Sequence, residues 1–251
     1  MIKIILSGCN GKMGQTITKL IEEDENIVIV AGVSIDGEVL NYYPVYKSIS
    51  ECEETADVLL DFSNESLLLD ILKFGEDKKI PLVIATTGFS EEQVKLIENT
   101  AKKIPVFRSA NMSLGINLLI ELVQKAAKAL GEDFDIEITD IHHNKKVDAP
   151  SGTSLMIADA INDCLDENLD YAFERHTRKE KRRKNEIGIH SLRGGTVVGE
   201  HSVMFFGHDE VLEITHKSHS RELFARGALR AVKFIVDKEP GKLYSMKDIV
   251  E

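Results

Sequence analysis

The chain has 251 residues, 43% hydrophobic and 29% charged, enough to bury a real core as one large domain or two smaller ones without any staple. Its 31 Lys and Arg against 42 Asp and Glu leave a net charge of −11, which argues against sequence-independent nucleic-acid binding, because that depends on excess cationic charge to displace phosphate counterions. Three scattered cysteines, Cys9, Cys52 and Cys164, form no CxxC pair, which excludes a disulfide framework and a cysteine zinc site and points to a reducing cytoplasmic compartment.

The first apolar run, residues 2–6, reads as a strand and leads at once into glycines, so it is too short for a secretory leader. No later run reaches the ~18 apolar residues of a membrane span, and no membrane is expected as a partner. Residues 15–23 carry Ile17, Leu20 and Ile21 at helical spacing, and 27–33 is a β-branched run of the kind buried on both faces. Strands at 58–62, 81–85 and 106–108 then alternate with helices at 67–74 and 91–103. Such a β-α order calls for a doubly wound parallel sheet in an α/β fold.

Beyond Asn111 the pattern changes. Residues 116–130 read as a long helix, 134–142 as a strand and 153–164 as a helix. Alternating segments follow at 186–192, 196–205 and 211–216, which predict a second, mostly antiparallel sheet in an inserted α+β domain. A last helix is expected over 222–236. The basic run 175–184 reads as a solvated, flexible loop in this otherwise acidic chain.

Three groups of residues carry chemistry. Gly8, Cys9, Asn10, Gly11, Lys12, Met13 and Gly14 sit between the first strand and the first helix in GxxGxxG spacing. Glycines there permit a tight turn and close backbone approach, and the helix start offers N–H groups to a pyrophosphate. Ser34 occupies the position where an NAD-selective site usually places an acid, and Asp36 comes slightly late, so NADH and NADPH both remain open as cofactors. The turns Ala85-Thr86-Thr87 and Ser109-Ala110-Asn111-Met112 follow later strands at the edge where such sheets bind ligands. The third group, His142-His143-Asn144-Lys145-Lys146 through Ser151-Gly152-Thr153, combines proton-shuttling imidazoles, an ammonium and a helix start suited to a carboxylate. Ser151 also suits a plain N-cap. His216 and His219 stand three apart without a carboxylate partner or an HExxH pattern, and no metal is expected.

Taken together, GCNGKMG, DFS at 61–63, ATTGF at 85–89, SANMSLG at 109–115, HHNKKVDAPSGT at 142–153, IGIHSLRGG at 187–195, VGEH at 198–201 and LEITHKSHSR at 212–221 resemble the 4-hydroxy-tetrahydrodipicolinate (dihydrodipicolinate) reductase family over nearly the whole chain. The resemblance implies a Rossmann domain from 1–112 and 222–251, and a substrate and oligomerisation domain from 113–221. It implies a homotetramer that reduces a cyclic imine dicarboxylate to tetrahydrodipicolinate with NADH or NADPH, in lysine and diaminopimelate synthesis. By motif position, Gly8 to Met13 would hold the pyrophosphate, and Ala85–Thr87 with Ser109–Met112 would flank the nicotinamide. His142 would exchange a proton, Lys146 would donate one, and His143, Gly152 and Thr153 would bind substrate. Ser34-Ile35 stands where some members have an acidic/basic pair, Ala85 where Gly is common, Met112 where Phe is common, and Lys145 where His is frequent. A nucleotide sensor or another two-domain dehydrogenase would share the architecture without the HHNKKVDAPSGT block.

Overall fold

The structure is a computed structural model and describes residues 1–250. The chain divides into two compact units, Met1–Leu114 with Glu222–Glu251, and Gly115–Arg221. The division after Leu114 comes two residues beyond the sequence boundary at 112.

In the first unit the elements run β1 (Ile2–Ser7), α1 (Lys12–Glu22), β2 (Ile27–Val33), β3 (Val45–Tyr46), β4 (Val58–Asp61), α2 (Leu68–Lys78), β5 (Leu82–Ile84), α3 (Glu91–Ala101) and β6 (Val106–Arg108). After the second unit, given below, the chain returns to the first. The second unit holds α4 (Leu114–Leu130), β7 (Asp135–His142), α5 (Gly152–Asp163), β8 (Asp170–Ala172), β9 (Glu186–Arg193), β10 (Gly199–Phe206) and β11 (Val211–Ser218). The returning segment adds α6 (Glu222–Ile235), β12 (Leu243–Tyr244) and α7 (Lys247–Val250).

Seven strands of the first unit form a wholly parallel sheet in the order β12-β6-β5-β4-β1-β2-β3. Its central strands are continuous aliphatic runs buried on both faces (Ile4, Ile5, Leu6 and Leu59, Leu60), as a sheet covered by helices on each side requires. α1 buries Ile17 and Ile21 on one face, and α6 packs Ala228, Val232 and Ile235 into the same core, so the C-terminal helix completes the layer that the N-terminal segment begins. The strand order reverses around β1. The register aligns Ser7 with Asp61 and Asp61 with Ile84, so the carboxyl ends of β1, β4 and β5 make one edge.

The five-stranded sheet of the second unit runs β11-β10-β7-β9-β8, and here the sequence expectation is corrected. β10 pairs antiparallel with β11 and β7, whereas β9 pairs parallel with β7 and β8, so the sheet is mixed rather than mostly antiparallel. The reason is connectivity. α5 lies between β7 and β9 and makes the crossover that a parallel pair needs. One face packs Ile136, Ile138, Ile187, Ile189, Val203 and Phe205 against Leu119, Val123, Ile157 and Ile161 of α4 and α5.

The basic run is a largely exposed loop, but its arginines are tied to the fold. Arg175 pairs with Glu137 and Glu186, Arg178 with Glu186 at 2.6 Å, and Arg182 with Asp135 at 2.9 Å and Glu137 at 3.0 Å. Arg182 also donates to the carbonyls of Ile136 and Glu186. Three of its arginines therefore fasten the segment to the strands, where planar guanidinium forks meet the buried Glu186 and the more open Glu137 and Asp135.

Candidate active site

The cofactor candidates lie along the β1–β4–β5 edge. Gly8 has φ +79°, and a Cβ there would stand 2.4 Å from the Phe62 carbonyl oxygen, so the turn after β1 accepts only glycine. Gly14 is as tight, its Cβ position lying 2.3 Å from the Gly8 carbonyl oxygen. The backbone N–H groups of Gly8 and Cys9 donate to the Val33 carbonyl at 2.9 and 3.2 Å, which fastens the turn to β2. Helix α1 starts at Lys12, three residues before the predicted start. Its N-cap is Gly11, with no side-chain cap. A helix start without a capping side chain, reached through a glycine turn, fits a pyrophosphate, and Lys12 and Met13 supply its first turn.

Cys9 is fully buried and its thiol is pushed up to about 11 by burial, which makes it a packing group. Asn10 points the other way and donates from Nδ2 to Asp36 Oδ1 at 2.7 Å. The carboxylate that comes late in sequence therefore reaches back to the glycine turn. It also accepts from the Glu38 N–H and the Ser34 side chain. Those hydrogen bonds, led by the Glu38 N–H, hold Asp36 below the usual carboxylate range.

Asp61, given no role in the sequence reading beyond its place in DFS at 61–63, organises the far side of this edge. Its carboxyl group is 1% exposed and accepts from Thr86 Oγ1 at 2.6 Å, from the Ser63 hydroxyl and from the Ser63 N–H at 3.2 Å. No cation is among these partners, and burial raises its pKa above the ordinary value. Thr86 is fixed by this bond, while Ala85 donates its N–H to the Asp61 carbonyl at 2.9 Å and Thr87 is exposed. In the neighbouring turn Ser109 Oγ donates to the Asn111 carbonyl at 2.8 Å, and the Met112 side chain is buried in the core. Met112 therefore offers backbone alone. Ala110 is exposed.

The second constellation belongs wholly to the second unit. β7 alternates inward and outward, and its inward series ends Ile136, Ile138, Asp140, His142. Strand period alone thus puts Asp140 and His142 on one face. Register brings His201 of β10 and Ser191 of β9 alongside Asp140, and Arg193 alongside His142. The Asp140 carboxylate has no exposed surface. Oδ2 accepts from the Ser151 N–H at 2.9 Å, Ser154 Oγ at 3.0 Å and Ser191 Oγ at 3.1 Å, while Oδ1 accepts from Arg193 and from His142 Nδ1, the latter at 3.2 Å. Burial alone would raise its pKa, but these donors outweigh it and hold the group well below the carboxylate range.

His142 is 8% exposed, and desolvation lowers its pKa against the opposing pull of Asp140, so the ring is neutral at pH 7. Lys146 contributes charge to this environment and pairs with Asp148 at 2.8 Å. His143 has a buried Nδ1 with no hydrogen-bond partner. The Ala149–Pro150 bond is cis, and α5 follows with Gly152 exposed and Thr153 half-buried in its first turn.

Ser151, expected among the substrate-binding residues and also suited to an N-cap, is the N-cap of α5. It is 2% exposed, its N–H is taken by Asp140, and its Oγ accepts from the Ser154 N–H at 3.1 Å and contacts His201 Nε2 at 3.0 Å. Its polar groups are engaged inside the fold. Sequence reasoning gave no role to His201, which is 4% exposed and pushed down to about 4, chiefly by burial. The signal available for Asp140 was a carboxylate at an inward position of an alternating strand, and for His201 only its place in VGEH at 198–201.

Comparison with known proteins joins the two halves. The family model for the dihydrodipicolinate reductase N-terminus matches residues 2–112, and the model for its C-terminus matches 115–250. The chain belongs to the dihydrodipicolinate reductase family. It is a pyridine nucleotide-dependent oxidoreductase of the reduction step in lysine and diaminopimelate biosynthesis. The reductase is 54% identical over its whole length to the 4-hydroxy-tetrahydrodipicolinate reductase of Caldanaerobacter subterraneus subsp. tengcongensis, covering 99% of that protein. It is 48% identical over 98% of its length to that of Clostridium tetani, covering 96% of it. A solved dipicolinate-bound dihydrodipicolinate reductase from Paenisporosarcina sp. TG-14 shares the fold at TM-score 0.83, with 24% identity and 99% of each chain covered. The Corynebacterium glutamicum DAP dehydrogenase shares it more loosely, at TM-score 0.59 and 12% identity over 98% and 93% of the two chains.

Proposed function

We propose that the reductase uses the first unit to hold NADH or NADPH and the second to hold a cyclic imine dicarboxylate, which it converts to tetrahydrodipicolinate. The observation that carries this reading is that segment 142–153 folds so that the His142 imidazole and the start of α5 share the single carboxylate of Asp140. Gly8 to Met13 bind the pyrophosphate through the start of α1, and Lys12 adds a cation. Ala85, Thr86 and Thr87 flank the nicotinamide with Ser109, Ala110, Asn111 and the Met112 backbone. When bound, the reduced nicotinamide supplies the hydride.

Negative charge develops on the imine nitrogen or its conjugated carbon as hydride arrives, and Lys146 neutralises it by giving up a proton. His142, neutral in the resting protein, takes and returns protons at Nε2. Gly152 and Thr153 grip one ring carboxylate at the start of α5 and His143 supports the other, so binding orients the ring. The Asp36 carboxylate beside the glycine turn repels a 2′-phosphate, which favours NADH over NADPH.

Two further properties belong to this reading. The face of the five-stranded sheet turned away from α4 and α5 leaves Leu192, Phe206 and Val211 exposed, which supports burial between copies in a homotetramer. Free buried cysteines support a cytoplasmic setting, and among the described residues no helix is long and apolar enough to cross a membrane. The test generates substrate from pyruvate and aspartate semialdehyde with the upstream synthase and follows NADH and NADPH oxidation separately. Substrate-dependent oxidation is expected, faster with NADH, and none with either cofactor would overturn the reading. Light scattering checks the tetramer.

A further inference from the structure

The proposed role of His142 requires the ring to present one defined nitrogen, and the atoms around it determine which. We propose that Asp140 is a positioning residue that locks His142 in the Nδ1–H tautomer with Nε2 as the reactive nitrogen, and ties that ring to the carboxylate-gripping start of α5. The proposal rests on the reading of His142 and α5 given above.

Proton counting carries it. An ionised carboxylate only accepts, so the 3.2 Å contact between Asp140 Oδ1 and His142 Nδ1 needs the proton on Nδ1. Nε2 then lies on the opposite side of the ring, 3.0 Å from where a Cβ on Gly199 would stand, so the neighbouring strand leaves that nitrogen clear only because residue 199 is glycine.

The other oxygen sets the direction of a second chain. Ser154 Oγ donates to Asp140 Oδ2, so its 2.8 Å contact with Ser151 Oγ must be filled by the Ser151 hydroxyl proton. Ser151 Oγ has no further proton to give, and His201 Nε2–H must donate to it across 3.0 Å. Protons thus point from His201 through Ser151 and Ser154 to Asp140. Two oxygens fix the orientation of the imidazole and of the first turn of α5 together, and with no exposed surface on Asp140, water cannot substitute for any donor.

Asp140→Asn keeps the shape but puts an amide where two acceptors are needed, so an N–H group faces either Arg193 and His142 or the three donors on Oδ2. kcat is expected to fall about 10²-fold or more, the scale of general acid–base catalysis, with NADH affinity unchanged. The limb of the pH–rate profile set by His142 is expected to move to lower pH, because the charges facing the ring are Asp140, Lys146 and Arg193, with His201 stacked edge-on at 5.2 Å, and only Asp140 favours the imidazolium. A purely structural role would move neither the limb nor the tautomer. In the wild-type enzyme, two-bond proton–nitrogen correlation with labelled histidine should report His142 as Nδ1–H, a measurement that stands even if the variant fails to fold. An Nε2–H tautomer, or wild-type kcat in Asp140→Asn alongside an inactive His142→Gln, overturns the positioning role alone. An active His142→Gln enzyme overturns both that role and the reading beneath it.

Discussion

Replacing Gly199 with alanine tests how closely the second unit is fitted around His142. The new Cβ would lie 3.0 Å from Nε2 and 3.4 Å from Cδ2 of the ring, contacts that close only if something yields by a few tenths of an ångström. β10 cannot yield easily, being hydrogen-bonded to β11 on one side and β7 on the other. The ring must therefore turn, and its 3.2 Å bond to Asp140 is already long. Loss of one hydrogen bond to a charged group is worth about 1.5–3 kcal/mol. At about 1.4 kcal/mol per factor of ten, Gly199→Ala should lower kcat by roughly 10–100-fold. Stability should fall by about 0.5–2.6 kcal/mol, because removing a glycine from the unfolded chain offsets only about 0.4–1 kcal/mol of that loss. Steady-state kinetics, thermal unfolding and a fluorescence titration of NADH separate the effects. Unchanged kcat in a folded variant would show that the position of the ring does not govern turnover.

Three other perturbations probe separate parts of the fold. Gly14→Ala would drive a Cβ to 2.3 Å from a backbone oxygen of the glycine turn, lifting α1 from it, and NADH affinity should drop at least about tenfold in a fluorescence titration; wild-type affinity would deny the helix start its role. Glu186→Gln removes the buried charge that Arg175 and Arg178 share, so about 3 kcal/mol of stability should be lost in urea unfolding and trypsin should cut faster at those arginines; an unaltered digestion rate would restore the picture of a free loop. His201 is held neutral, with a folded pKa pushed down to about 4 from 6.5. The unfolded chain therefore binds more protons between those values, and stability should fall by about 3 kcal/mol as pH drops from 6.5 to 4, a loss that His201→Gln should abolish. A flat unfolding free energy across that range in the wild type would refute it.

Much of the first unit could be read from the chain because its determinants are local. GxxGxxG needs glycine where φ is positive or where backbone presses against backbone, and Gly8 and Gly14 occupy such positions. Buried parallel strands appear as continuous β-branched runs whatever their neighbours. The block 142–153 was likewise conspicuous in sequence.

What tertiary structure alone decided depends on which strands lie side by side. Asp140 gains meaning from Ser191, Arg193 and His201, residues 51 to 61 positions away that only the register of β9 and β10 brings to it. Asp36 returns to Asn10 across 26 residues, and Arg175 and Arg182 reach Glu137 across 38 and 45. A charged side chain written in isolation looks solvated; whether it is instead buried and paired is settled by partners distant in sequence, because removing a charge from water is tolerated only where the completed fold supplies the hydrogen bonds that replace it.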